Sequence, residues 1–256
     1  KISKKYDLKL IIDAAQSIGA KYKKEKKFAG TVGDIGGYSL NVHKHINTGE
    51  GGVIVTNNNQ VAKKIALIRN HGENMTEISP RNKHFFGYNL RMGEIEAAIG
   101  IEQLKKLPKI LRKIQYDAKI LSQGLATLKG LQVPIIDKNC THAFYNYPLV
   151  INPKELKVSR KVLAHLLRKE GVPISEGYQN IHLLPFFKNK LKKGITKHYW
   201  TKINLKENYK KGLCPVAENL HEKTYMALPV CYYEFSKKDL YSIVRSFNKV
   251  WKNIVR

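Results

Sequence analysis

The sequence predicts an α/β fold carrying a second, smaller α+β domain. Three observations lead there. Short apolar runs alternate with helix-spaced runs over the first hundred or so residues, the pattern of strands joined by helices. A long helical region follows at 92–128. Beyond residue 131 the pattern changes to strands, a helix, irregular chain and a final amphipathic helix. We place the boundary at 115/116, giving a large-domain portion over 1–115 and a small C-terminal domain over 116–256.

Residues 1–9 read as the end of a helix leading into a strand at 10–12 (Leu, Ile, Ile) with Asp13 at its tip. A polar hairpin-like stretch follows at 22–29. Residues 33–40 form an apolar strand punctuated by glycine, and 53–56 a short β-branched strand. Asn57 and Asn59 mark a turn, and 61–69 have helical spacing through Val61, Ile65 and Ile68. Residues 70–88 are polar and aromatic, the composition of an irregular loop. The helix at 92–107 sets Ile95, Ala98 and Ile99 beside Glu102 and Gln103; Pro108 is expected to interrupt it before a second helix at 110–128, stopped by Gly130. In the second domain, 131–136 and 144–151 read as strands. Residues 159–169 read as a helix capped by Ser159 and stopped by Gly171. Residues 173–187 are mostly loop and 214–228 have no clear pattern. The helix at 237–254 buries Leu240, Ile243, Val244, Phe247, Val250 and Trp251.

Composition narrows the function. The chain of 256 residues is 43% hydrophobic, enough for a substantial core. Its formal net charge of +26 invites a polyanion partner. The lysines, however, are spread in clusters at 1–5, 21–27, 105–113 and 188–193, with no recognisable nucleic-acid module, so solvated lysine faces account for them and neither nucleic acid nor membrane is expected as a partner. The three cysteines, Cys140, Cys214 and Cys231, are widely spaced and contain no Cys-x-x-Cys pair. That argues against a disulfide framework or metal site and for a reducing cytoplasm. No run approaches the roughly 18 apolar residues of a membrane span.

Chemistry enters with Lys44, which follows a strand and precedes Thr48-Gly49-Glu50-Gly51-Gly52. A partly desolvated lysine can attack a carbonyl, and glycines let backbone approach a bulky cofactor. A surface lysine in so basic a chain explains the same feature. Asp13 adds weight. It ends an apolar strand, where carboxyl ends of parallel strands present ligand sites, and a carboxylate there suits a cationic partner such as a protonated pyridine nitrogen. It also suits the cap of a helix over 14–19, and the two roles are compatible.

Taken together the motifs are more specific. Ile12-Asp13-Ala14-Ala15-Gln16-Ser17-Ile18-Gly19-Ala20 is followed by Gly33-Asp34-Ile35-Gly36-Gly37-Tyr38-Ser39, then by Lys44-His45-Ile46-Asn47-Thr48-Gly49-Glu50-Gly51-Gly52. Arg69-Asn70-His71-Gly72, Gly87-Tyr88-Asn89-Leu90-Arg91-Met92 and Glu94-Ile95-Glu96-Ala97-Ala98-Ile99-Gly100 come next. In this order the chain resembles the DegT/DnrJ/EryC1/StrS family of sugar aminotransferases, as do Cys214-Pro215-Val216-Ala217-Glu218 and Leu228-Pro229 near its end. The resemblance implies a fold-type I, pyridoxal 5'-phosphate (PLP)-dependent transferase large domain, a mainly parallel sheet flanked by helices. It implies that Lys44 carries the cofactor and acts as general acid/base, that Asp13 pairs with the pyridine nitrogen, and that Gln16 reaches the phenolic oxygen. Ser39 donates to the cofactor phosphate, and Asn89 reaches that phosphate in the other subunit of a homodimer with shared sites.

The implied reaction moves an amino group from an amino acid, glutamate in the usual case, to a nucleotide-linked keto sugar for amino-sugar or surface polysaccharide biosynthesis. A branch of the family with His in place of the lysine dehydrates keto sugars; Lys44 favours transamination. The same chain could also be a non-catalytic regulatory member of the family, or a basic nucleic-acid binder. His43 and His45 flank Lys44 and read as structural or solvated. His182, in Tyr178-Gln179-Asn180-Ile181-His182-Leu183-Leu184-Pro185-Phe186, resembles a segment lining the substrate region; Arg91 and Glu218 are weaker candidates of the same kind. The family's N-terminal part, with a small-residue phosphate turn and a ring-stacking aromatic, has no counterpart before Asp13, so the chain reads as a piece of a longer frame.

Overall fold

The computed structural model describes residues 1–73, 86–185, 187 and 209–255. The lysine cluster at 188–193, Phe186 and much of the loop expected over 70–88 lie outside the described residues. The chain divides into two compact units. One comprises Lys1–Ala118, Ile135–Tyr145 and Val230–Glu234; the other comprises Lys119–Pro134, Asn146–Pro229 and Phe235–Arg256.

In the first unit, a one-turn helix α1 (Ile2–Lys5) leads into strand β1 (Ile11–Asp13). A two-residue hairpin, β2 (Lys21–Tyr22) and β3 (Lys27–Phe28), precedes β4 (Ile35–Ser39) and β5 (Gly52–Val55). The sheet order is β1-β4-β5, with β1 parallel to β4 and β5 antiparallel to it. Gly36 is required where β4 passes the preceding turn: a Cβ there would lie 1.8 Å from the Gly30 carbonyl oxygen. Residues 14–19 form turns and not the expected helix. Asp13 Oδ1 accepts the Ala15 amide at 3.0 Å, and that local bond satisfies the backbone in a turn that no helix continues.

Helix α2 (Asn59–Arg69) starts at Asn58, whose side chain accepts the amides of Gln60 and Val61. Its last turn pairs with the chain after the loop: Tyr88 N–H reaches the Ile68 carbonyl and Leu90 N–H the Arg69 carbonyl.

Helix α3 (Glu94–Leu125) runs unbroken through Pro108, contrary to the expected interruption. Pro108 is exposed. The carbonyl that its missing N–H frees belongs to Leu104, itself 58% exposed, so this turn of the helix is open to solvent and the lost bond can be replaced there. A small core of Leu40, Ile46 and Leu107, flanked by Ile18, Ile110 and Leu111, ties the strand, the following loop and the helix together.

The segment 135–145 belongs to this unit because it is bonded to the hairpin. Lys23 N–H donates to the Asn139 carbonyl, Thr141 N–H to the Lys21 carbonyl, and Lys21 N–H to Thr141 Oγ1.

The second unit is an antiparallel sheet with helices. Its strands β6 (Leu131–Gln132), β7 (Tyr147–Ile151), β8 (Ser175–Glu176) and β9 (Tyr225–Leu228) are ordered β6-β7-β9-β8. β7 alternates buried and half-buried positions, so Tyr147, Leu149 and Ile151 face the core. Helix α4 (Arg160–Lys169) starts at Ser159, buries Leu163, Ala164 and Leu167, and is followed by Gly171 at φ +80°. The stretch 214–228 resolves into α5 (Pro215–Asn219), a π-helical turn (Leu220–Thr224) and β9. Helix α6 (Lys237–Ile254) buries Leu240, Ile243, Phe247, Val250, Trp251 and Ile254. Each such side chain contributes about 2 kcal/mol on burial. Both strands expected at 131–136 and 144–151 are shorter. The second starts at Tyr147 because Phe144, at φ +50°, cannot continue a strand.

Candidate active site

β1 and β4 run parallel with Asp13 opposite Gly37, so their carboxyl ends open on one sheet edge. Side chains alternate along β4, which puts Gly37 and Ser39 on the same face as Asp13. A Cβ at Gly37 would meet nothing within 4 Å. The result is open space flanked by a carboxylate and a hydroxyl. Asp13 spends Oδ1 on the Ala15 amide and keeps its second oxygen for a ligand. Ser39 Oγ accepts the Asn41 amide at 3.2 Å, leaving its own proton to donate. Gln16 lies exposed in the turn after β1.

The chain then turns through residues 40–51 to present Lys44. Leu40 N–H reaches the Gly51 carbonyl and Thr48 N–H the Leu40 carbonyl, closing the loop at its neck. Inside it, Asn41 Nδ2 donates to Glu50 Oε1 at 2.8 Å and Asn41 Oδ1 accepts the His43 amide. Ile46, 2% exposed, anchors the loop in the core. Lys44 is half-buried.

Its neighbour His45 is buried, with Nε2 donating to the Ala143 carbonyl at 2.8 Å. Burial lowers its pKa, chiefly by desolvation, so the ring is neutral and its role is to hold residues 143–145. His43 is exposed and stands edge-on to Tyr232.

Sequence reasoning missed the aromatic wall beside the lysine. Lys44 Nζ lies 4.4 Å from the ring centroid of Tyr145, whose hydroxyl accepts a hydrogen bond from Tyr232. No motif signals these residues: they come from distant segments, and only the folded chain brings them to Lys44.

The remaining candidates sit elsewhere in their units. Asn89 is exposed and its backbone pairs with Asn70, while Arg91 Nη1 donates to Asn70 Oδ1 at 2.7 Å. In the second unit, His182 Nε2 and Glu218 Oε1 are 2.8 Å apart. Glu218 also accepts the amides of Gly212 and Cys214. These bonds hold its carboxyl below the usual range, the Gly212 amide first and His182 next. Glu218 is thus committed to organising the loop at the start of α5, and His182 to Glu218.

A carboxylate, a hydroxyl and the half-buried lysine of the following loop are chemically suited to PLP, whose cationic ring nitrogen, phosphate and aldehyde would take one partner each. The family model of the DegT/DnrJ/EryC1/StrS aminotransferase family matches residues 1–248. An uncharacterized protein of Methanocaldococcus jannaschii is 34% identical over 98% of this chain and 62% of its own length. The UDP-4-amino-4,6-dideoxy-N-acetyl-beta-L-altrosamine transaminase of Campylobacter jejuni is 31% identical over 74% of this chain and 50% of its own. The X-ray structure of the aminotransferase from Psychrobacter cryohalolentis superposes with a TM-score of 0.82 at 27% identity, covering 98% of this chain and 64% of that one. The chain therefore spans between half and two-thirds of the length of these relatives.

Proposed function

Because the chain belongs to the DegT/DnrJ/EryC1/StrS aminotransferase family, we propose that it is the greater part of a PLP-dependent enzyme that transfers an amino group from an amino acid, glutamate first among the candidates, to a nucleotide-linked keto sugar. The observation that carries this reading is the sheet edge where Asp13, the open space beside Gly37 and Ser39 share one face, with the Lys44 loop following directly. When bound there, PLP supplies an electron sink for the carbon that loses its proton.

Lys44 would hold the cofactor covalently. Asp13 would keep the ring nitrogen protonated through its free oxygen, Gln16 would meet the phenolic oxygen, and Ser39 would donate to the phosphate. Lys44 Nζ would also take the proton leaving the donor α-carbon and hold it for return. His45 Nε2 is bonded to the Ala143 carbonyl, so that nitrogen holds residues 143–145 and is not available to the substrate.

A nucleotide-linked substrate is supported by the name of the Campylobacter relative, which acts on a UDP-linked amino sugar. A homodimer, with Asn89 serving the neighbouring site, is supported by the exposed apolar residues Ile95 and Ile99, which share one face of α3 suited to a second copy. Among the described residues no helix is long and apolar enough to cross a membrane.

The test is a visible absorbance spectrum with added PLP, for wild type and Lys44→Ala, followed by borohydride trapping and peptide mapping. A lysine-dependent band trapped on the Lys44 peptide supports the assignment. A version lengthened to match its relatives that still shows no band would overturn it.

A further inference from the structure

The aromatic pair beside Lys44 has features that packing alone does not require. Tyr145 is only partly buried, yet it is held from three directions. Ala143, 3% exposed, is tied to the His45 side chain through its carbonyl. Phe144, 4% exposed, sits at φ +50°, a conformation unfavourable for a bulky residue that persists only where its surroundings enforce it. The enforcement is visible: Phe144 N–H donates to His142 Nδ1 at 2.9 Å, and the His142 carbonyl accepts from Gln115 of α3 at 3.1 Å.

The third hold is Tyr232, whose hydroxyl donates to that of Tyr145, with the rings edge to face at 5.6 Å. Strained backbone and phenol pair together present the face of the Tyr145 ring to Lys44 Nζ at 4.4 Å. No carboxylate among the described residues pairs with Lys44. Its neighbour Cys231 is a neutral thiol, pushed up to about 11 by burial.

We propose that Tyr145, braced by Tyr232, is a positioning residue that receives the Lys44 ammonium whenever the amine is free. This rests on the reading of Lys44 as the cofactor-bearing lysine. As Lys44 Nζ takes a proton from the donor α-carbon, positive charge develops on that nitrogen. A ring face of negative quadrupole at 4.4 Å stabilises this charge without supplying a base that would compete for the proton. The same face keeps the freed side chain within reach of the reacting carbon through the rest of the half-reaction.

The test compares wild type, Tyr145→Phe and Tyr145→Leu. One readout needs no cofactor. Cofactor-free protein is reductively methylated with ¹³C-formaldehyde, and the Lys44 dimethylamino NMR signal is assigned by its loss in Lys44→Arg. A group over a ring face is shielded, so an upfield shift is expected in wild type, a smaller one in Tyr145→Phe, which keeps the ring and loses the Tyr232 brace, and its loss in Tyr145→Leu.

The second readout is the amino-donor half-reaction with PLP bound. Tyr145→Leu should lower kcat by about tenfold with KM for the donor unchanged, while Tyr145→Phe falls between the two. An unshifted Lys44 signal in wild type, a shift that survives in Tyr145→Leu, or a Leu variant with wild-type kcat would each overturn the proposal. Should Tyr145→Leu fail to fold, a ring-fluorinated phenylalanine at position 145, which keeps the shape and drains the charge from the face, takes its place with the same kinetic expectation. Failure of the cofactor reading is separate: it shows as absence of trapped PLP on Lys44, whatever the NMR signal reports.

Discussion

His45 Nε2 donates a 2.8 Å hydrogen bond to the carbonyl of Ala143, 98 residues further along the chain. A carbonyl only accepts, so the ring nitrogen must carry the proton, and burial keeps the other nitrogen unprotonated. The folded-state pKa lies below the ordinary 6.5. Below pH 6.5 the unfolded chain therefore binds a proton that the native chain refuses, and stability falls on acidification with a slope that approaches about 1.4 kcal/mol per pH unit. Thermal melts at pH 7.5 and 5.5 should show this loss in wild type and a smaller one in His45→Gln, which keeps a donor and cannot titrate. Equal losses in the two proteins would exclude His45 as a source.

Glu218 makes a prediction of the same sign in a more acidic window. Its carboxyl is held low by the amides of Gly212 and Cys214 and by His182. Its stabilising effect is present above the ordinary carboxylate pKa of 4.5 and lost as pH falls through the lower native value. Removing it locally frees two amides: in Glu218→Ala, hydrogen exchange at Gly212 and Cys214 should accelerate by about tenfold or more at neutral pH. Unchanged protection would mean that the loop does not depend on this side chain.

Ser236 and Asp239 form a reciprocal cap on α6, the serine accepting the Asp239 amide and the aspartate accepting the Ser236 amide. Because α6 supplies six buried residues to its unit, the cap is coupled to global stability and not to local fraying alone. Ser236→Ala should cost about 1 kcal/mol in urea unfolding, with Ser236→Asn close to wild type.

Gly124, inside α3, is set by its neighbour. A Cβ there would lie 2.6 Å from both methyl carbons of Val244 on α6. Helix propensity alone favours Gly124→Ala by about 1 kcal/mol. The overlap costs about 1–3 kcal/mol, so the net change should be destabilising. Gly124→Ala combined with Val244→Ala should recover the propensity gain on the α3 side, giving a positive coupling in a double-mutant cycle.

Where local physics decides, the sequence was readable. Ser159 caps a helix that begins at the next residue, and the apolar spacing of 237–254 returned α6 with its buried side almost residue by residue. Pro108 misled because a proline's cost depends on which way its face points, and this one points to solvent. The turn after Asp13 misled because the aspartate's own hydrogen bond satisfied a backbone that lacked a helix to join.

The sequence by itself determined the family through ordered motifs, the type of most elements, and the presence of Asp13, Gln16, Ser39 and Lys44 in one short stretch. Those features rest on backbone dihedrals, caps and periodicity, which act within a few residues. The tertiary structure decided what surrounds Lys44. Tyr145 and Tyr232 reach it because a strained Phe144, a buried histidine and a phenol pair fix segments far apart in the chain. Such contacts depend on burial and mutual geometry, which no local pattern in the chain encodes.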